Sequence, residues 1–172
     1  MRNLVLGISM TALAAAASAQ APAPAQEPAA TWEFFEEDGG RNGALVKAAD
    51  GSQLILKCDK PGRREVHAIV LAPSEKLAVP NDRPISRPIR FQFDGGAPKT
   101  ESWGFYEHHA IAQGKTSDRA LARFIAGLRG TSDVKMRLDT GIGPDVDLEF
   151  GVAGSEAAIA RVYKACNDSE PS

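Results

Sequence analysis

Ile89-Arg90-Phe91-Gln92-Phe93-Asp94-Gly95-Gly96 decides the fold. Ile89, Phe91 and Phe93 alternate with Arg90 and Gln92. A period of two sends successive side chains to opposite faces of a strand. One face is apolar and the other polar, the pattern of an antiparallel sheet that covers its core on one side and meets water on the other. Asp94-Gly95-Gly96 then stops the strand, because Asp and Gly accept the backbone angles of a tight reversal.

The same reading extends toward the N-terminus. Residues 32–36 form a short aromatic-rich strand, and Asn42-Gly43 precedes another at 44–48. Asp50-Gly51 is a hairpin signal. Residues 52–58 follow, with Leu54 and Leu56 set against Gln53, Ile55 and Lys57. Pro61-Gly62 marks a turn, and 64–71 is a strand with Val66, Ala68 and Val70 on one face. Residues 74–88 hold Pro80, Pro84 and Pro88. Proline donates no ladder hydrogen bond, so this segment is expected to be a connection or an irregular edge.

Toward the C-terminus, residues 102–108 make a strand carrying Trp103 and Phe105. Leu121, Phe124, Ile125 and Leu128 then fall at i, i+3, i+4 and i+7, one face of a helix. Thr116 or Ser117 is its expected N-cap, and Arg129-Gly130 its end. Strands are expected at 133–138 and 146–152, with a Gly/Pro loop at 139–145 between them. A second helix covers 155–167, with Ile159, Val162, Tyr163 and Cys166 on its buried stripe. The fold class is α+β: a mainly antiparallel sheet of about seven or eight strands, with two helices in the C-terminal half. There is no βαβ alternation, which excludes a dinucleotide-binding fold.

The chain has 172 residues, 43% of them hydrophobic, enough for one domain. Its formal charge of -2 excludes a strongly basic nucleic-acid binder, so no nucleic-acid partner is expected. Two cysteines exclude a disulfide-dense scaffold and a four-cysteine zinc site. Met1-Arg2-Asn3, an apolar run over 4–17 and Ala17-Ser18-Ala19 are the parts of a secretory signal peptide. That leader covers 1–19, and cleavage after Ala21 is the alternative. The apolar run is shorter than the roughly 20 residues of a membrane span. No cysteine follows it to take a lipid. Residues 20–30, nearly all Ala, Pro, Gln and Glu, read as a disordered tether. A single domain at 31–168 and a tail at 169–172 complete the chain, which is expected in the periplasm or outside the cell with no transmembrane segment once mature.

Export changes the reading of Cys58 and Cys166, since two cysteines in an oxidising compartment pair. The bridge would close a loop of more than 100 residues, for which the chain-entropy model gives at most about 4–5 kcal/mol. A redox-active pair would more often stand as Cys-x-x-Cys, and these two are far apart.

The search for chemistry returns little. His108 and His109 are adjacent on a strand and point to opposite faces, and His67 is the remaining histidine. Ser132-Asp133-Val134-Lys135 matches Ser-x-x-Lys, but at a strand start rather than the helix start that motif uses. Asp139, Asp145, Asp147 and Glu149 have the composition of a calcium loop without its spacing. No Gly-x-Ser-x-Gly, phosphate loop or His-Glu-x-x-His is present. No catalytic residue, metal ligand or cofactor is assigned. Asp94 and Glu101 stand as a possible carboxylate pair across a hairpin. Arg83, Arg87 and Arg90, with Trp103, make the candidate interaction surface. Against this stand charges that protect a sheet edge and a core role for the tryptophan.

A larger pattern joins these features. A leader and a Pro/Ala tether lead to Trp32, and Leu54-Ile55-Leu56-Lys57-Cys58 ends on the first cysteine. Arg90-Phe91-Gln92-Phe93-Asp94-Gly95-Gly96, the Trp103 strand, Phe124-Ile125-Ala126-Gly127-Leu128, Asp147-Leu148-Glu149-Phe150 and the terminal Ala165-Cys166 follow. Over residues 32–167 this order resembles the VasI-like family of periplasmic accessory proteins associated with type VI secretion. The resemblance implies a non-enzymatic role in the cell envelope, with an envelope or secretion-complex protein as partner. It carries over no catalytic residue. The alternatives are a hydrolase of envelope material using Asp94, Glu101 and His108, and a small-molecule carrier with a pocket between sheet and helices.

Overall fold

A computed structural model describes residues 31–37, 40–60, 63–73, 77, 83–112, 114–141 and 143–171. The expected leader and tether lie outside the described residues. Among the described residues the elements are β1 (Glu33–Glu37), β2 (Arg41–Lys47), β3 (Gln53–Lys60), β4 (Arg63–Leu71), β5 (Ile85–Phe93), β6 (Lys99–Phe105), β7 (His109–Ala112), α1 (Gly114–Leu128), β8 (Asp133–Leu138), β9 (Val146–Gly151) and α2 (Ser155–Cys166). The strands form one antiparallel sheet in the order β1-β2-β3-β4-β7-β6-β5-β8-β9. The α+β class and both helices in the C-terminal half are as expected. The ninth strand is β7, four residues that follow the turn at 106–108.

Tight turns set the registers. At Asp50-Gly51, Ala48 N–H donates to Ser52 O at 2.8 Å, and Asp50 Oδ1 accepts from Ser52 N–H at 2.9 Å. Leu54 and Leu56 on β3 then face the core together with Val66, Ala68 and Val70 on β4. Asp94, at φ 45°, stops β5 by accepting from the N–H groups of Ser132 and Asp133, both at 2.9 Å.

β5 corrects one expectation. It contains Pro88 and lies between β6 and β8, in the sheet interior. The odd residues of β6 face β5, so Pro88 turns its nitrogen toward β8. Leu138, the last residue of β8, pairs with Ile89, so the ladder on that side ends beside Pro88. There Pro88 O accepts from Asp139 N–H at 3.5 Å, just past β8, so proline's missing N–H removes only the return bond of the last pair. The first helix also opens earlier than expected, at Gly114, so Thr116 and Ser117 lie within it rather than capping it.

Both helices cover the same face of the sheet. Phe124 of α1 packs edge-on against Phe91 at 5.4 Å and Trp103 at 5.1 Å. α2 buries Ile159, Val162, Tyr163 and Cys166, and a disulfide joins Cys166 to Cys58 of β3 with a Cα–Cα distance of 5.6 Å. Trp32, just before β1, donates its indole N–H to Val152 O, just after β9, at 3.3 Å. The two ends of the strand order thus meet, and the sheet curls around one continuous core. No helix among the described residues is long and apolar enough to cross a membrane.

Candidate functional site

The four residues expected to form an interaction surface separate into two groups. Arg83 and Arg90 are exposed. Trp103 is 1% exposed, so the expectation of a surface tryptophan is corrected. It shares the inner face of β6 with Phe105, where burial of its large apolar area dominates. Arg87 is on the inner-face parity of Ile89 and Phe91. Its guanidinium donates to Leu77 O at 3.0 Å and to Thr140 O, and stands 5.9 Å from the Phe105 ring centroid. Gly141 makes room for it, since a Cβ there would lie 2.8 Å from the guanidinium carbon. Arg87 is half-buried and ties the carbonyls of Leu77 and Thr140 together.

Arg90 lies on the outer, solvent-facing side, where register builds a charged face. It stands directly opposite Arg137 on β8, and Arg137 opposite Asp147 on β9. The next row is Gln92, Lys135 and Glu149. Arg137 holds Asp147 through two bonds of 2.6 and 2.9 Å, and Lys135 approaches Glu149 at 3.3 Å. The hydrogen bonds from Arg137 hold the Asp147 carboxyl below its ordinary pKa, and the same bonds raise that of Arg137. Arg90 has no acidic partner among the described residues. Like charges directly opposite on adjacent strands are unfavourable, so this register sets a cation beside a cation without an acid of its own.

These side chains, with Gln92 and Pro98, line a groove of about 430 Å³ on the outer face, which Phe91, Met136 and Leu148 border although their side chains are buried on the inner face. A smaller depression of about 220 Å³ adjoins it, bounded by Pro88, Arg90, Thr100, Arg137, Asp139 and Asp145. Arg90 and Arg137 border both. The arrangement presents one unneutralised cation, a second held rigid by its carboxylate, and shallow relief between them. It suits recognition of an acidic group on a partner.

The residues named for hydrolysis are not brought together. Asp94 is engaged as a backbone cap on β8. Glu101 pairs in register with Ile89, five residues from Asp94, so the two backbone positions are offset by about 17 Å along the strand. Glu101 is held by Arg123 of α1 through both its oxygens. His108 lies beyond the opposite end of β6, 3.8 Å from Glu107. His109 stacks on Tyr106 with ring centroids 4.6 Å apart, and burial, then the neighbouring His108, lowers its pKa. Among the described residues no three His, Cys, Asp or Glu side chains converge as metal ligands. Asp139, from the calcium-like set, accepts from Gly141 N–H at 2.7 Å, and Asp147 and Glu149 serve the outer-face pairs.

Lys135 and Arg137 were legible only as the polar side of a strand. Their place beside Arg90 depends on the pairing of β5 with β8, which are separated in the chain by β6, β7 and α1. No protein-family model, curated protein or solved structure matches this chain, and the site is therefore defined by its own geometry.

Proposed function

We propose that this chain is an exported accessory protein that works by binding, docking an envelope or secretion-complex protein through the outer face of β5, β8 and β9. The Cys58–Cys166 disulfide carries the reading. Such bonds persist where thiols are oxidised, and this one agrees with the leader read in the sequence. The acidless Arg90 beside Arg137 supports docking to an acidic patch on the partner. The resemblance to VasI-like accessory proteins supplies the class of partner.

Two measurements test it. Osmotic-shock fractionation with thiol alkylation should release the protein with both cysteines oxidised. Recovery from the cytosol with free thiols overturns the export half. Crosslinked capture from the envelope fraction should lose at least about fivefold of the partner in Arg90→Glu, equivalent to about 1 kcal/mol. Undiminished capture by a folded Arg90→Glu protein removes this face from the interaction.

A further inference from the structure

The solvent side of the sheet changes character from one half to the other. On β2, β3, β4 and β7 the inward positions, such as Val46, Leu56, Val70 and Ala110, are fully buried. The alternate positions point outward, and a face that meets only water carries polar residues there. β8 and β9 obey this, with Lys135, Arg137, Asp147 and Glu149. On the other half, register sets Leu45 beside Ile55, Ile55 beside Ile69, and Ile69 beside Ile111. Four branched aliphatic side chains thus run in one line across four neighbouring strands, each of them half-buried. Leu71 stands one row on from Ile69 along β4, also half-buried. On the other side of the line the Phe35 ring lies over Gly43, in the space a Cβ would take.

No helix or strand among the described residues covers this line. α2 reaches β3 from the inner face through Cys166 and Cys58, and α1 meets Phe91 and Trp103 on that same face. Leu77, the described residue of the 74–82 connection, belongs to the core. A contiguous apolar patch with a polar rim marks an association surface.

Charge and size select the occupant. At the β1 end the rim closes on itself, since Lys47 holds Glu33 at 2.8 Å and Lys57 holds Glu37 at 3.1 Å. A second copy therefore meets no repulsion there. Arg90 and Arg137 lie on β5 and β8, beyond β6 in the strand order, and stay outside the contact. A two-fold axis in the contact plane, along the strands, sets Ile55 against Ile69 of the second copy and Leu45 against its Ile111. Side chains of such similar size exchange places without loss of fit. Strands about 4.8 Å apart and rows about 6.8 Å apart give a patch of six strands and three rows, at most about 600 Å² per copy. A stable pair buries roughly 800 Å² on each side, so this contact suits a reversible one.

We infer that the outer face of β2, β3, β4 and β7 is the contact of a reversible, symmetric dimer of this chain, with Ile55 and Ile69 at its centre. Each copy keeps its cationic face free, so the pair offers two such faces to one partner and gains avidity without a new contact. The dimer contact does not require the charged face to be a docking site, and either proposal can fail alone.

Sedimentation equilibrium of the oxidised mature protein from about 5 to about 500 µM tests the contact, with methyl resonances followed over the same range. The weight-average mass should climb toward twice that of the monomer. The Ile55, Ile69 and Ile111 methyls should shift with concentration, and those of the core residues Leu54 and Leu56 should not. Ile69→Glu buries an unpaired carboxylate in the contact and should weaken association at least about tenfold. Ile55→Thr keeps a β-branched side chain on the strand, so it should melt close to wild type and still weaken association at least about threefold. Apolar contacts are not screened, so raising the salt to about 0.5 M should leave the dimer intact. A monomer up to about 500 µM, a dimer undiminished in both folded variants, a dimer that salt dissolves, or shifts confined to other faces overturns the assignment. Overhauser contacts between these methyls and residues 20–30 within a monomer also overturn it, in favour of the tether as occupant.

Discussion

Arg87 turns its guanidinium onto the carbonyls of Leu77 and Thr140, while Arg90, three positions along β5, stands in solvent opposite Arg137. Truncating Arg87 strands two carbonyls and removes the charge-assisted bonds, so Arg87→Ala should lower urea stability by about 1–3 kcal/mol. Arg90→Ala should stay within about 0.5 kcal/mol of wild type, as for an exposed position with no structural bond. Equal losses would refute the division of labour between them. The difference was legible in principle, because Arg87 shares the parity of Ile89 and Phe91. It was hidden by excluding 85–88 from the strand on account of Pro88. His109 yields a pH prediction. Its folded pKa lies below the ordinary 6.5, so the unfolded chain binds the proton more readily. The His109 contribution is complete above the unfolded pKa and is lost as pH falls through it toward the lower folded value. The urea midpoint of wild type should therefore fall more than that of His109→Gln between about pH 7 and pH 5. Parallel profiles would show that burial against Tyr106 does not perturb the ring.

Among the elements, the two helices are held by different means. α1 lies close on the sheet: a Cβ at Gly127 would fall 2.2 Å from the Phe93 ring, which Phe91 and Phe124 flank at 5.4 and 5.9 Å. Alanine in place of glycine gains about 1 kcal/mol of helix propensity. Overpacking costs about 1–3 kcal/mol, and a ring boxed by two others has no easy retreat. Gly127→Ala should then come out neutral to destabilising by about 2 kcal/mol in urea melts, and a clear gain in stability would mean that Phe93 moves aside. α2 is tied covalently. The bond from Cys58 to Cys166 spans a sequence separation of 108, and the double serine variant should lose up to about 4–5 kcal/mol, read by the same denaturation. A loss below about 1 kcal/mol would mean that the reduced unfolded chain is already compact. The helices were plain in the sequence because four apolar positions at helical spacing leave little ambiguity. The strand alternation at Leu54, Val66, Phe91, Val134 and Leu148 was equally clear. β7 was not, because four residues ending in Ala-Ile-Ala hold too few alternations to separate from the Trp103 strand.

At the scale of the whole molecule, no local pattern shows that the sheet curls until Trp32 meets Val152, because that contact joins residues 120 apart. The charged outer face is a consequence of the same long-range order, since it depends on which strands become neighbours. The curl makes a prediction about cooperativity. α2 packs against β2, β3 and β4, and α1 against β6 and β7, an arrangement that would permit two semi-independent halves. Four links oppose this: the unbroken sheet through β7, the Trp32–Val152 hydrogen bond, the contact of α1 with α2 where Ser155 Oγ donates to Leu128 O, and a core that runs from Val46 and Leu56 to Phe124 and Phe150 without interruption. The two tryptophans report on different parts, Trp32 on the seam where the sheet ends meet and Trp103 on the packing of α1. With Trp32→Phe and Trp103→Phe each leaving one reporter, fluorescence and far-ultraviolet dichroism should give coincident urea transitions within each variant. A Trp103 signal that changes well before the dichroism would split the domain at β7, the shortest strand of the sheet. Coincidence would mean that these links together make the two halves one cooperative unit.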